Sequence, residues 1–336
     1  MKSVLFGTER RYSKSKRGSG MAIRIGTRSS ALALWQADRV RAELEKESID
    51  VEIIRIKTAG DRNRTDSILN LGAQGVFAKE IQLALLENRI DLAVHSLKDL
   101  PVEPVPGLVF AATLDREEVS DVFVSVKYKT PGELPDGARV GTGSLRRRCQ
   151  LAYRLRGKDV RIDDLRGNVE TRLKKLDAGE YDAVILAAAG LKRLGFDGRI
   201  DDSRRLTPPD FLPAPGQGAL GLECRADDGA TLAVLNKINR RDVYAAVVAE
   251  RAFLAALRGG CIAPIGAYAR HEDGRLVLDG RILSFDGAEQ YDVRMTGGPD
   301  ADAARRLGEA AAEKLTIPEV KSILNEVARL RERKEK

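Results

Sequence analysis

Short apolar runs alternate with amphipathic stretches along the first part of the chain. Residues 22–26 and 51–57 predict strands, and the spacing of apolar positions in residues 31–46 predicts an amphipathic helix between them. A further helix is predicted over residues 76–88, followed by a buried strand over residues 91–95. Strands that alternate with helices are typical of an α/β lobe with a mainly parallel sheet.

A second part of the chain repeats these features. Arg139-Val-Gly-Thr-Gly-Ser144 matches Arg24-Ile-Gly-Thr-Arg-Ser29. In each case a predicted strand leads into Gly-Thr-x-Ser, and a predicted helix follows. Residues 179–186 match residues 88–95, each a helix end followed by an aspartate and a buried strand. Two matches at corresponding places indicate two lobes of similar design. Because ligands of such sheets bind outside the carboxyl ends of the strands, two facing lobes are expected to enclose one cleft.

The remaining segments predict connections and a third unit. Residues 58–75 are long and polar for a connector, and predict a mobile lid or binding loop. A Pro-rich crossing over residues 207–216 leads to a strand over 217–224 that returns toward the first lobe. The third unit is predicted to contain a helix over 243–257, strands over 265–270, 275–283 and 290–296, a helix over 300–314 and a C-terminal helix. The predicted boundaries are a flexible basic extension over 1–20, lobe 1 over 21–116 with 217–236, lobe 2 over 117–216, and an α+β domain over 237–336 that carries Cys261.

The net charge of +7 is concentrated at the N-terminus. The first 20 residues contain six lysines and arginines against one glutamate, so the rest of the chain is close to neutral. A basic stripe on the folded body, as nucleic-acid-binding proteins have, is therefore not indicated, and no nucleic-acid partner is expected. Residues 1–20 lack an apolar core, so they are not a secretory signal; they weakly resemble a transit peptide, but a flexible extension is favoured.

Cysteine, histidine and hydropathy exclude further classes. No apolar run approaches the ~20 residues that a membrane helix needs, so no membrane partner is expected. The three cysteines, Cys149, Cys224 and Cys261, have no C-x-x-C spacing, and only two histidines are present. A zinc site is not expected, and a reducing, cytoplasmic setting fits best.

Arginines gather at the predicted strand-to-helix turns, which indicates an anionic ligand. Backbone N–H groups at a helix start favour anions, and arginine adds a two-pronged donor for carboxylate or phosphate. The alternative is that most of these side chains are solvated surface arginines. The arginines concerned are Arg28, Arg146, Arg147, Arg148, Arg166, Arg172 and Arg193.

Two other residues could take part in chemistry. Asp99 follows a buried strand, so it could take part in acid–base chemistry or stabilise a cation; the alternative is a capping or turn aspartate. Cys261 follows Gly259-Gly260, which are expected to end the preceding helix, and precedes Pro264. A thiol held in such a turn suits a reactive or derivatised sulfur, but a lone cysteine is more often a small buried hydrophobe. His95 is expected to pack within its strand.

Several motifs in order resemble the porphobilinogen deaminase (hydroxymethylbilane synthase) family, from about residue 23 to the end of the third domain. The motifs are Arg28-Ser-Ser-Ala-Leu-Ala-Leu-Trp-Gln36, Val94-His-Ser-Leu-Lys-Asp-Leu-Pro101, Gly141-Thr-Gly-Ser-Leu-Arg-Arg147, Leu165-Arg-Gly-Asn168, Pro215-Gly-Gln-Gly-Ala219 and Gly259-Gly-Cys-Ile-Ala-Pro-Ile-Gly266. The expected fold class is α/β, with two similar periplasmic-binding-protein-like doubly wound lobes plus a small α+β C-terminal domain.

The resemblance implies a transferase of tetrapyrrole (haem- or chlorophyll-type) biosynthesis. It implies a dipyrromethane cofactor thioether-linked to Cys261, and head-to-tail condensation of four porphobilinogen units, with loss of ammonia, to hydroxymethylbilane. Asp99 is implied to be the catalytic carboxylate, which holds pyrrole N–H groups and stabilises the azafulvene cation formed as ammonia leaves. The residues implied to hold the cofactor are Lys98, Thr142, Ser144, Arg146, Arg147 and Arg172, and those implied to receive substrate carboxylates are Arg28, Ser30, Arg166 and Arg193.

One position departs from the family pattern. A lysine often stands in the family's glycine-rich loop where this chain has Gln74, in Gly72-Ala-Gln-Gly-Val-Phe77. A neutral amide does not supply that charge when the loop covers a carboxylated chain. The main alternative to an enzyme is a two-lobed anion-binding module without chemistry. A monomer is expected for a protein of three such domains.

Overall fold

The computed structural model describes residues 22–57, 78–258 and 263–335. The predictions for the extension over residues 1–20, for the loop over residues 58–75 with Gln74, and for Cys261 fall outside these residues.

The first lobe is built on a five-stranded sheet in the order β2-β1-β3-β10-β4. The strands β1 to β3 are mutually parallel, and β10 is antiparallel to both of its neighbours. Its elements are β1 (Ile23–Thr27), α1 (Ala31–Lys46), β2 (Val51–Arg55), α2 (Lys79–Leu86), β3 (Leu92–Ser96), β4 (Leu108–Ala112), β10 (Leu220–Arg225) and α6 (Gly229–Ile238). The strand predicted to return to the first lobe therefore lies in its sheet.

The second lobe has an equivalent sheet in the order β7-β6-β8-β5-β9. Here β5 takes the place of β10, because it is the single antiparallel strand. The elements of this lobe are β5 (Asp121–Val124), β6 (Arg139–Gly141), α3 (Leu145–Arg154), β7 (Arg161–Asp163), α4 (Val169–Asp177), β8 (Ala183–Ala187), α5 (Ala188–Arg193) and β9 (Arg205–Leu206). The chain thus crosses between lobes twice, from β4 to β5 and from β9 to β10.

In both lobes a serine at the repeated Gly-Thr-x-Ser turn caps the following helix, but it is the motif's own serine in the second lobe and the residue after the motif in the first. Ser144 Oγ accepts a hydrogen bond from the backbone N–H of Arg147 and so caps α3. In the first lobe the capping residue is Ser30, which accepts from Ala33 N at 3.3 Å. Such caps satisfy donors that a helix start leaves without partners, which is why α1 and α3 begin where they do.

The core of the C-terminal domain lies between a three-stranded antiparallel sheet, in the order β11-β12-β13, and three helices. Its elements are α7 (Arg241–Ala256), β11 (Ile265–Glu272), β12 (Arg275–Leu283), β13 (Gln290–Gly297), α8 (Ala301–Leu315) and α9 (Pro318–Glu335). Phe253 of α7 is fully buried in the core of this domain.

The expected fold class is confirmed: two similar α/β lobes and a small α+β domain. The strands β4, β5, β7 and β9 and the helices α5 and α6 have no counterpart in the sequence prediction. The boundaries between the domains stay a prediction.

Candidate functional site

A cleft of about 520 Å³ lies between the lobes and is lined mainly by polar and cationic side chains. It is bounded by the loops that follow strands of both sheets and by the second crossover. Among the residues predicted for the site, Arg28, Ser30, Lys98, Asp99, Arg147, Arg166, Arg172 and Arg193 line it. The facing lobes therefore bring together residues that are far apart in sequence.

Asp99 lies at the end of a short 3-10 turn, Leu97–Asp99, that directly follows β3. Leu97 is fully buried and packs in one cluster with Leu100 and with Val247 of α7, whereas Asp99 is exposed to the cleft. Arg251 of α7 donates hydrogen bonds to the carbonyl oxygens of Leu100 and Pro101, at 2.9 and 2.6 Å. The C-terminal domain therefore helps to hold the turn that presents this carboxylate.

Lys98 is directed into the same region and is partly buried. Its Nζ donates to Gln217 Oε1 at 3.2 Å. Burial, and then repulsion by Arg147, lower the pKa of Lys98 to about 8, although Asp99 and Asp121 oppose the change. Because burial disfavours its charged form, Lys98 is stabilised as a cation when an anion binds beside it.

The neighbouring residues Arg146 and Arg147 differ in position. Both are buried, and both form ion pairs with Asp121, at 2.8 and 2.7 Å. Arg147 also lines the cleft. Arg146 does not line the described cleft, because its guanidinium is directed to Asp121 and to the carbonyl oxygen of Leu212.

Arg166 and Arg172 lie on the loop and the first turns of α4 that face the first lobe. Arg166 Nε donates to Asp164 Oδ2 at 2.8 Å, and Arg172 Nε donates to the Gly167 carbonyl oxygen at 2.8 Å. Burial, with repulsion from Arg147 and Arg166, lowers the pKa of Arg172 to about 10. Cations that repel one another in this way favour a bound anion between them.

Arg193 connects both lobes at the edge of the cleft. Its Nη2 donates to the Gly218 carbonyl oxygen at 2.6 Å, and its guanidinium carbon lies 5.4 Å from the ring centre of Trp35. Burial lowers the pKa of Arg193 to about 10. Its Nε is buried without a hydrogen-bond partner among the residues that the structure describes, so one donor remains for a ligand.

Thr142 and Ser144 lie in the turn that precedes α3 and do not line the described part of the cleft. Thr142 is buried, and its Oγ1 accepts from the backbone N–H of Ser144 at 3.2 Å. Both hydroxyl groups therefore shape the turn from which Arg147 projects.

His95 is packed in its strand, as expected from the sequence. It is buried, and its Nε2 lies 3.1 Å from Oε2 of Glu223, a carboxylate that also accepts from Gln82 at 3.0 Å.

The sequence prediction missed several polar residues of the site, among them Asp121 behind the cleft and Gln217, Glu170 and Lys175, which line it. Asp121 pairs with both arginines, and Gln217 Nε2 donates to Asp121 Oδ1 at 3.0 Å. These two had a signal: Asp121 is followed directly by an apolar run over residues 122–124, and Gln217 lies between the two glycines of Pro215-Gly-Gln-Gly-Ala219.

Within residues 22–57, 78–258 and 263–335, no group of three or more metal-binding side chains is arranged to hold a metal ion. None of the helices in these described ranges has the length and apolar character needed to cross a membrane.

The fold and the cleft together define a two-lobed α/β protein suited to a ligand with several anionic groups. Residues 23–233 match the family model of the porphobilinogen deaminase dipyrromethane cofactor binding domain, and residues 244–316 match that of the porphobilinogen deaminase C-terminal domain. The chain therefore belongs to the porphobilinogen deaminase family. It is a transferase of tetrapyrrole biosynthesis, and dipyrromethane is its cofactor.

Similar solved structures include a nutrient binding protein from Burkholderia cenocepacia bound to methionine. It is 15% identical over 65% of this chain and 91% of that chain, with a TM-score of 0.41. An ABC transporter periplasmic substrate-binding protein from Coxiella burnetii is 15% identical over 64% and 91% of the two chains, with a TM-score of 0.42. At these TM-scores the similarity does not indicate which ligand this chain binds or which activity it has.

The residues of the cleft fit dipyrromethane, two linked pyrroles that carry acetate and propionate side chains. Its carboxylates require several donors, and Lys98, Arg147 and Arg172 supply cationic ones. Within the part of the chain that the structure describes, the Nε of Arg193 has no hydrogen-bond partner, so the cleft also keeps a donor for a further carboxylate. The volume of about 520 Å³ lies within the range usual for small-molecule sites.

Proposed function

We propose that this enzyme joins four porphobilinogen molecules head to tail, with loss of one ammonia from each, to give hydroxymethylbilane. We further propose that Cys261 carries the dipyrromethane through a thioether bond. The observation that carries the proposal is the exposed carboxylate of Asp99 in a cleft whose other charged groups are mainly cations. The cations suit a polycarboxylate, and the carboxylate of Asp99 suits a positive charge that develops at the reacting carbon.

Asp99 acts on the substrate. When ammonia leaves porphobilinogen, the carbon–nitrogen bond breaks and its electron pair goes with the nitrogen. Positive charge then spreads from the methylene carbon into the pyrrole ring. A fixed carboxylate beside that ring stabilises the charge and accepts a hydrogen bond from the pyrrole N–H. The buried packing of Leu97 keeps Asp99 in place, so little reorganisation is needed as the charge appears.

The cations divide into two proposed sets. Lys98, Arg147 and Arg172 hold the carboxylates of the cofactor, and Thr142, Ser144 and Arg146 support the turn and helix start that carry Arg147. Arg28, Ser30, Arg166 and Arg193 receive the carboxylates of incoming substrate. Bound dipyrromethane supplies the free pyrrole position to which the first substrate unit is added.

Other observations support the proposed compartment and partners of the enzyme. Cys149 and Cys224 are free, buried thiols rather than disulfide partners, which fits a reducing cytoplasm. The near-neutral charge beyond residue 20 supports a small-molecule enzyme without a nucleic-acid partner. We expect it to act as a monomer.

The test compares two acidic residues of the same cleft. Asp99→Asn keeps the side-chain shape but removes the charge, and should lower turnover by about 10²–10³-fold or more, the usual loss when one fixed stabilising group is removed. Glu170→Gln alters an exposed acid that lines the cleft on α4, and should leave turnover within about tenfold.

Consumption of porphobilinogen and the intact mass of each variant should be measured together. Both variants should carry the cofactor. Wild-type turnover in Asp99→Asn would contradict the role given to this carboxylate. No consumption of porphobilinogen by the wild type itself, with an unmodified mass, would favour an anion-binding module.

A further inference from the structure

We propose that Asp121 is a positioning residue for the cofactor site: it holds Arg147, and through Gln217 it holds Lys98, in the orientation that receives the cofactor carboxylates. The inference rests on the proposed function, because it assumes that these two cations hold the dipyrromethane. Asp121 does not line the cleft and acts only through its neighbours.

The contacts of Asp121 come from separate parts of the chain. Its Oδ1 accepts from Arg147 Nε at 3.0 Å, from Arg147 Nη2 at 2.7 Å and from Gln217 Nε2 at 3.0 Å. Its Oδ2 lies 2.8 Å from Arg146 Nη2. Gln217 in turn accepts from Lys98 Nζ. A continuous chain of polar contacts therefore runs from the second lobe, through the crossover, to the residue beside Asp99.

Burial makes this carboxylate a rigid anchor. Asp121 is 1% exposed and Gln217 is fully buried, so neither side chain can exchange its partners for water. Buried charges of this kind persist only when they are closely paired. The adjacent cations Arg146 and Arg147 hold the pKa of Asp121 far below its usual value, so it stays ionised.

The charge balance explains why one buried carboxylate is enough to hold the cations of this site. Asp121 faces three cations, namely Arg146, Arg147 and Lys98, so it neutralises only part of their charge. It reduces their mutual repulsion enough to pack them together, and leaves a positive site for incoming carboxylates. A carboxylate that lined the cleft would compete with the ligand, whereas one behind the arginines does not.

A purely structural role would be shared by Asp279, which provides the matched control. Asp279 is also a buried aspartate between two arginines: its Oδ1 accepts from Arg294 Nε at 2.6 Å and its Oδ2 from Arg270 Nη1 at 2.6 Å. It lies on β12, in the C-terminal domain. Loss of charge at either position should therefore lower the stability of the protein, but only the change at Asp121 should slow the attachment of the cofactor.

The experiment compares three full-length proteins: the wild type, the Asp121→Asn variant and the Asp279→Asn variant. Each protein, freed of cofactor, is incubated with porphobilinogen at a temperature where it is folded, and attachment is followed by intact mass. Asp279→Asn should load at the wild-type rate, and Asp121→Asn at least tenfold more slowly. Its loading should also decline at a lower pH than in the wild type, because removing the anion lowers the pKa of Lys98, which is also influenced by Asp99 and both arginines.

Folded Asp121→Asn that loads at the wild-type rate, with an unchanged pH profile, would overturn the inference. If that variant does not fold, Gln217→Leu replaces it, since it keeps the Asp121–arginine pairs but breaks the link to Lys98. Slow loading would then support the inference, and wild-type loading would overturn it. If neither the wild type nor Asp279→Asn gains the mass of the cofactor, the proposed function fails instead.

Discussion

Arg116 and Glu250 form a two-pronged buried ion pair that joins the first crossover to the C-terminal domain. Arg116 Nη1 donates to Glu250 Oε1 at 2.7 Å, and Nη2 donates to Oε2 at 3.0 Å. Glu250 is fully buried and also accepts from the backbone N–H groups of Gly216 and Ala269, at 2.7 and 2.8 Å. Both crossovers and the strand β11 therefore meet at one carboxylate.

Glu250→Gln should be strongly destabilising. The change leaves the Arg116 charge buried without its counter-ion, which typically costs about 3–5 kcal/mol. The exposed pair between Arg139 and Asp163, at 2.9 Å, is the control, and Asp163→Asn should cost about 0–1 kcal/mol. The free energy of unfolding from chemical denaturation measures both. Equal losses would contradict the role of Glu250 as the joint of the crossovers.

Lys98 should give the cofactor-free protein a specific pH dependence. Its pKa is about 8 in the fold, against an ordinary value near 10.5. Between these values the unfolded chain binds more protons, so this group makes the fold more stable as the pH rises from 8 to 10.5. Below pH 8 the charged lysine carries a constant penalty.

Lys98→Met should therefore be more stable than its parent at pH 7, and the difference should shrink between pH 8 and 10.5. The comparison requires a Cys261→Ser background, so that no cofactor carboxylates stabilise the charged lysine. Thermal midpoints over this pH range are the measurement. A difference that stays constant or grows with pH would show that burial does not depress the pKa of Lys98.

Gly218 should tolerate no side chain. Its φ is +86°, and an added Cβ would lie 2.3 Å from the Glu117 carbonyl oxygen. Gly179 has a similar φ of +77° with no heavy atom within 4 Å of that position. Gly179→Ala should cost about 1–2 kcal/mol from the backbone alone, and Gly218→Ala a further ~1–3 kcal/mol from the clash.

Denaturation of the two variants separates these contributions. Because Gly218 lines the cleft and its carbonyl accepts from Arg193, its substitution should also weaken substrate binding. Equal stability of the two alanine variants would contradict the close contact between the crossovers.

Local patterns predicted much of the fold. The helix predicted over residues 31–46 forms with those bounds, because its apolar spacing and its capping serine both act within a few residues. The repeat predicted two lobes, and the equivalent strand orders of the sheets confirm it. The strands β5 and β9 have four and two residues, which is too short for a periodic signal.

The site was predicted in its residue types but not in its internal pairing. Arg146 and Arg147 are equivalent in sequence, but successive residues of a helix point about 100° apart, so only one of them lines the cleft. Their partners are distant in sequence: Asp121, which pairs with both, is 25 or more residues away, and Leu212, whose carbonyl oxygen accepts from Arg146 and not from Arg147, is farther still. Long-range pairs of this kind leave no local pattern.

We propose that Cys261 carries a dipyrromethane from which the product chain grows, and the mass of the intact, purified and active protein is the decisive measurement. We expect the wild type to be heavier than its sequence by two linked pyrroles, with the excess located on a peptide that contains Cys261 and absent from Cys261→Ser. Active protein whose mass equals that of its sequence, with an unmodified Cys261, would contradict the account.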